Sequence, residues 1–178
     1  MTSKAVSELE CIVEELLRSD GPVETAALAR VAEHIARAFG VRPDEVAILA
    51  LVEGGKFLAF LIPERFGRIG TIPMTSTTAL AVRTARDQRP EAINKFPAVR
   101  HATVFEAMPI QEERGDPIQK IMSAPITAEN KVVGVVQVSR KGKTSLAAGP
   151  DFTPKDLSEL VAMGRLLGPC VQRCRITS

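Results

Sequence analysis

The stretch IMSAPITAENKVVGVVQVSRKGKTSLAAGPDFTPKDL, residues 121–157, decides the fold. It reads as a strand (IMSAPIT), a polar turn (AENK), a strongly β-prone strand (VVGVVQVSRKG) and the opening of a helix (FTPKDL), so an antiparallel pair is followed by a helix that seals the sheet. Val132, Val133, Val135, Val136 and Val138 are β-branched, lose little further rotamer freedom in a sheet and pack on both of its faces. That places their strand in the middle of a covered sheet. Gly134 interrupts the run and predicts a bulge or a close helix crossing rather than a ligand contact. Thr153 is a natural cap, Pro154 suits the first helical position, and Asp156 favours the positive helix end. Leu157, Leu160, Val161, Met163, Leu166 and Leu167 cover more than half of this last helix. Pro169 predicts a kink or a break, because it lacks an amide donor and crowds the carbonyl of Arg165.

Upstream, Val6, Leu9, Ile12, Val13, Leu16 and Leu17 recur at helical spacing and predict a helix over residues 4–18. Asp20, Gly21 and Pro22 break it, and Pro22 is placed as an early residue of a second helix that Gly40 stops after Phe39. His34 lies beside that helix's apolar stripe and reads as a boundary residue. A strand over 45–52, a tight turn at Glu53-Gly54-Gly55-Lys56 and a return over 57–62 make a hairpin. Its glycines lack the spacing, the following Lys-Ser/Thr and the strand-loop-helix context of a phosphate loop. A further helix is expected over 76–87, with the Ser76 hydroxyl as its cap and its free amides a possible seat for an anion. Residues 90–109 fit a mixture of loop and short elements laid across the sheet, where concave sites form. Residues 119–126 resume strand character, with Pro125 suggesting an irregular or edge-like end.

The chain has 178 residues, 45% of them hydrophobic and 25% charged, with a formal net charge of +2, which describes a single domain with a sizeable core. From Ser76 to His101 the charge is mildly positive, through Arg83, Arg86, Arg89, Lys95 and Arg100, but short of a basic patch interleaved with aromatics. Nucleic acid is therefore not the expected partner. No run approaches the roughly 18 apolar residues of a membrane span, and MTSKAVSELE carries acidic residues where a leader needs an apolar core. The expected location is cytoplasmic. Cys11, Cys170 and Cys174 are an odd set on the terminal helices, indicating neither a disulfide framework nor a metal site.

API (124–126), KVVGVVQVSRKG (131–142) and DFTPKDL (151–157), in this order and spacing, resemble the GAF domain family of small-molecule sensory modules. The resemblance extends over residues 23–167, and IPMTSTTALAVRTARDQRPEAI (72–93) is similar to the family's segment in which an isoleucine-proline precedes a helix and a short strand. It implies an α/β fold with a central, mostly antiparallel sheet of about six strands, terminal helices on one face and a ligand pocket on the other. It also implies a ligand drawn from cyclic nucleotides, tetrapyrroles, haem, organic acids or metabolites, or a purely dimerising role. The cyclic-nucleotide signature is incomplete: Lys141, Phe152 and Asp156 match it, while Arg140 replaces its Asn and Leu157 its Glu. No cysteine stands between residues 12 and 169 to attach a pigment or serve a sulfoxide reductase.

The resulting expectation is a noncovalent small-molecule-binding sensory or regulatory module, not an enzyme, acting through an effector protein or self-association. The alternative is a ligand-free interaction module. The cofactor is unspecified. The ligand is expected between the 119–126 strand and the cover made by residues 76–105. Asn94 and His101 are its polar contacts, Ser76 orients an acidic group, Phe105 and Met122 are apolar walls, and Arg100 is a reserve partner for an anion. Residues 1–21 form an N-terminal helical dimerisation element and residues 22–178 the GAF-like domain. The surplus apolar surface of the first and last helices predicts a homodimer.

Overall fold

The structure, a computed structural model, describes residues 2–67, 70–98 and 116–174. Among them, six strands form one sheet in the order β3-β2-β1-β6-β5-β4, and every neighbouring pair is antiparallel. The strands are β1 (Val46–Val52), β2 (Phe57–Ile62), β3 (Thr71–Pro73), β4 (Glu91–Ile93), β5 (Ile118–Ala128) and β6 (Lys131–Lys141). The valine-rich β6 lies between β1 and β5, buried on both faces as its composition requires. Its pairing with β5 passes from Ile126↔Gly134 to Thr127↔Val132, leaving Val133 as the extra residue of a bulge. Gly134 is needed because a Cβ there would run into the carbonyl oxygen of Leu49 on β1, so the close neighbour is a strand rather than a helix.

One face of the sheet, with Met122, Ala124, Ile126, Val136 and Val138, is buried under α1 (Lys4–Leu16), α2 (Leu28–Phe39) and the last helix. The first helix is capped by Ser3, whose hydroxyl accepts from the amide of Val6 at 3.2 Å. His34, buried on α2, has Nε2 2.7 Å from the carbonyl of Ala5, and since a carbonyl only accepts, the ring donates and fastens α2 to α1. Gly40 ends α2 at a φ of 65°, a left-handed stop that glycine adopts freely. The start of α2 differs from expectation. Pro22 is not helical; Val23 donates to the carbonyl of Arg173 and bridges Cys174, and α2 opens only after a 3-10 turn, Thr25–Ala27.

The other face carries Leu49, Leu58, Phe60, Ile121 and Val135 under a short helix, α3 (Glu64–Gly67), and α4 (Leu80–Asp87). Here too a boundary moves: α4 begins at Leu80 with Ala79 as its cap residue, four positions beyond Ser76.

The last helix, α5 (Pro154–Gln172), starts with a reciprocal capping box in which Thr153 and Asp156 each accept the other's amide. It runs through Pro169 as one helix, because that residue lies in the final turn, where one donor is lost and little helix remains to be redirected. Gly164 and Gly168 face β5 so closely that a Cβ at Gly164 would fall 2.5 Å from the carbonyl oxygen of Pro125, and one at Gly168 closer still to that of Thr127. Pro125 is tolerated within β5 because β4 pairs only with Ile121 to Ser123, so β5 is an edge beyond that point. The loop before α5 is held from β5 as well: Lys120, 4% exposed, donates to the carbonyl of Gly149 at 2.6 Å and pairs with Asp151 at 2.8 Å.

Candidate functional site

Between the sheet and α4 lies a small cavity of about 10 Å³, room for roughly one water. Its floor is Leu49, Phe60, Ile72, Ile121 and Gln137, one residue from each of five neighbouring strands; Leu80 and Ala81 of α4 and Phe96 after β4 cover it. Alternation along the strands explains the selection, since residues two apart share a face. This is the face opposite the terminal helices, where the sequence places the pocket.

Gln137 is the polar member, 4% exposed in a strand of valines. Ser123 is opposite it in the register of β5 and β6, fully buried, and accepts from Gln137 Nε2 at 3.2 Å. Ser123 Oγ is in turn 2.7 Å from Thr84 Oγ1 on α4, which donates to the carbonyl of Leu80 at 3.0 Å. These contacts dictate the direction of every proton. Thr84 has one hydroxyl hydrogen, spent on Leu80, so Ser123 donates to Thr84 and must accept from Gln137. The carboxamide nitrogen of Gln137 therefore faces Ser123, and its oxygen has no partner among the described residues.

The residues expected at the site are arranged differently. Met122 is fully buried on the helix-side face, whereas its neighbours Ile121 and Ser123 face α4; Met122 is a core residue and not a wall of this cavity. Asn94 gives its carboxamide to the backbone of Phe152, donating at 3.0 Å and accepting at 2.8 Å, which fastens the segment after β4 to the start of α5. Ser76 accepts from the amides of Thr78 at 3.4 Å and Ala79 at 3.2 Å, so it shapes the turn ahead of α4 instead of capping the helix. Arg100, His101 and Phe105 lie outside the described residues. Gln137, Ser123 and Thr84 went unnoticed, although a glutamine inside VVQVS is itself a signal of a buried polar contact.

The partial cyclic-nucleotide signature is occupied structurally. Arg140 stacks over the Phe152 ring at 4.7 Å and donates to the carbonyl of Phe39 at 2.9 Å, a cation at the negative end of α2. The Lys141 amide donates to Glu45 at 2.7 Å, Phe152 is core, and Asp156 caps α5. The terminal thiols are remote from the cavity lining: Cys170 belongs to the helix-side core, and burial pushes the Cys174 thiol up to about 11. Among the described residues no group of three or more His, Cys, Asp or Glu could hold a metal, and no helix is long and apolar enough to cross a membrane.

Comparison with solved structures returns the same architecture. The chain is similar to the GAF domain of an Acinetobacter phosphoenolpyruvate-protein phosphotransferase, at 19% identity and a TM-score of 0.67, covering 97% of this chain and 95% of that one. The GAF domain of a phosphoenolpyruvate-protein phosphotransferase from Coxiella burnetii gives 11% identity and 0.68, over 96% and 95%. Free methionine-R-sulfoxide reductase from Neisseria meningitidis, in complex with its substrate, gives 14% and 0.62, over 97% and 93%. At these identities the likeness is one of fold. No curated protein matches the sequence. The sequence model of the GAF domain matches residues 24–170, which takes in the sheet, the cavity and nearly all of α5; the chain belongs to the GAF domain family.

Proposed function

We propose that this GAF domain is a noncovalent small-molecule-binding sensory or regulatory module of the cytoplasm, whose state passes to an effector protein or changes its self-association. GAF domains generally bind small molecules or mediate interactions in signalling, and the observation that favours ligand binding is the apolar cavity under α4 with one incompletely used carboxamide. Arg100, His101 and Phe105 follow Phe96 in the chain by four, five and nine residues, and we keep them as ligand contacts on that ground. The reading involves no catalysis, nucleic acid or membrane. Native mass spectrometry of protein purified without added ligand, followed by denaturation to identify any released molecule, tests it. A released molecule whose retention falls in His101→Ala is the expected result. A protein that emerges empty, and whose melting is unmoved by nucleotides, haem and organic acids, overturns it.

The second reading, a ligand-free dimerising module, is favoured by the narrowness of the cavity. Ile12 and Leu16 on α1 and Val161 and Leu166 on α5 are only half-buried within one chain, which supports a homodimer through these helices under either reading. Light scattering at micromolar concentration should give twice the chain mass; a strictly monomeric mass defeats the dimer.

A further inference from the structure

We propose that the paired hydrogen bonds between Asn94 and the backbone of Phe152 latch the cavity shut: they hold Phe96 down over it, and a guest enters by breaking them. The inference rests on the binding role proposed above and adds the residue that controls access to it. Three observations carry it.

The first is the fit of the cover. The closed cavity, about 10 Å³, has room for roughly one water, so an organic guest requires part of the cover to withdraw. Leu80 and Ala81 sit on α4, which the buried contact of Thr84 with Ser123 at 2.7 Å pins to the sheet. Phe96 instead opens a 3-10 turn, Phe96–Ala98, that follows the short strand β4. It stands two residues after Asn94, a span of about 7 Å at most when extended, so lifting Phe96 away from the cavity draws on Asn94.

The second is the firmness of the anchor. The Asn94 carboxamide donates to the Phe152 carbonyl at 3.0 Å and accepts from the Phe152 amide at 2.8 Å. The Phe152 ring is buried in the helix-side core with the Arg140 guanidinium over it at 4.7 Å, and the next residue opens the capping box of α5. The anchor is fixed on both sides, and the Asn94 end is the one that moves.

The third is the lightness of the other ties on β4. That strand pairs with β5 through three residues, Glu91, Ala92 and Ile93. Its ion pair from Glu91 to Arg83, at 2.9 Å, has side chains 41% and 42% exposed, where such a pair contributes little. Two part-buried bonds to main chain are the larger hold.

The cost of breaking these bonds falls on every guest, so the apparent affinity is the intrinsic one reduced by the small fraction of opened protein. Removing the latch raises that fraction. A substitution that destabilises the fold should therefore tighten binding, the opposite of what the loss of a ligand contact would do.

Benzene needs no polar or charged partner, and the methyl resonances of Leu49, Ile72, Leu80 and Ile121 in the intact protein report its binding. Asn94→Ala should bind it about tenfold more tightly than the parent. Asn94→Asp, which keeps the acceptor and loses the donor, should lie between them and serves if Asn94→Ala does not fold. Ser3→Ala removes the cap of α1 on the other side of the sheet, lowers stability without touching the latch, and should leave the affinity unchanged. Equal or weaker binding by the Asn94 variants, or a tightening that Ser3→Ala reproduces, would overturn the latch and leave the binding role intact. If benzene binds to none of these proteins the latch falls, while the binding role still stands or falls with the molecule released in native mass spectrometry.

Discussion

The carboxamide of Asn94 and the backbone of Phe152 bond in both directions, Nδ2 to the carbonyl at 3.0 Å and the amide to Oδ1 at 2.8 Å, across 58 residues of chain. Asn94→Ala removes both bonds and leaves a part-buried backbone pair without partners. Stability should fall by about 1–3 kcal/mol, with an unchanged urea m-value. Asn94→Asp, which keeps the acceptor and loses the donor, should fall less. A midpoint equal to that of the parent would show that the pairing contributes nothing.

The contact of α5 with β5 yields a graded prediction. A methyl group at Gly164 meets the Pro125 carbonyl at 2.5 Å, and at Gly168 it meets Thr127 more closely still, while at Gly21 nothing lies within 4 Å. Gly168→Ala and Gly164→Ala should each destabilise by about 1–3 kcal/mol or more through overpacking, Gly168 the more severely, although alanine is the better helix former. Gly21→Ala should be close to neutral. Thermal melting of the three variants is the check, and a stabilised Gly168→Ala would refute the close approach.

Thr84 and Ser123 join α4 to the sheet by a buried hydroxyl pair at 2.7 Å. In a double-mutant cycle with Thr84→Val and Ser123→Ala, the coupling should be about 0.5–1.5 kcal/mol. Strict additivity would mean that the two hydroxyls do not act together.

Burial raises the Cys174 thiol from 9.0 to about 11, with the charges of Cys170 and Glu24 adding to the effect. The folded chain thus holds a proton that the unfolded chain releases first. This support is complete below pH 9.0 and is lost as pH rises toward 11. Alkylation of Cys174 by iodoacetamide should be slow at pH 8 compared with the exposed Cys11, and should accelerate across that window. Equal rates at pH 8 would contradict the shift.

The hairpin of β1 and β2, the β5–β6 pair and the opening of α5 could be read from residues 45–62 and 121–157 because their signals are local: alternation, turn glycines and the Thr153-Pro154-Asp156 cap. The facing of Met122 could not. Where both faces of β5 are buried, polar residues do not mark one side, and parity follows from pairing with β6 and α4. Asn94 was ambiguous for another reason. A carboxamide near a loop looks the same whether it meets a ligand or a backbone, and its partner stands at Phe152. Gly164 and Gly168 were within reach, since two glycines four apart on a helix put two missing side chains on one face. Pro169 leaves α5 unbroken because only three residues of the helix follow it, and a sequence rule against proline does not by itself register how much helix remains.

Glycine at positions 164 and 168 also bears on how an event in the cavity would be felt elsewhere. Ile121 and Ser123 look into the cavity side of β5, and only a few residues along the same strand Pro125 and Thr127 touch the backbone of α5. Most helix–sheet contacts are cushioned by side chains that can change rotamer and absorb a small displacement. Here main chain rests on main chain, and no rotamer can take up the slack. A guest that shifts β5 must carry α5 with it or open a gap, so occupancy beneath α4 would be expressed as movement in the helical layer on the far side of the sheet.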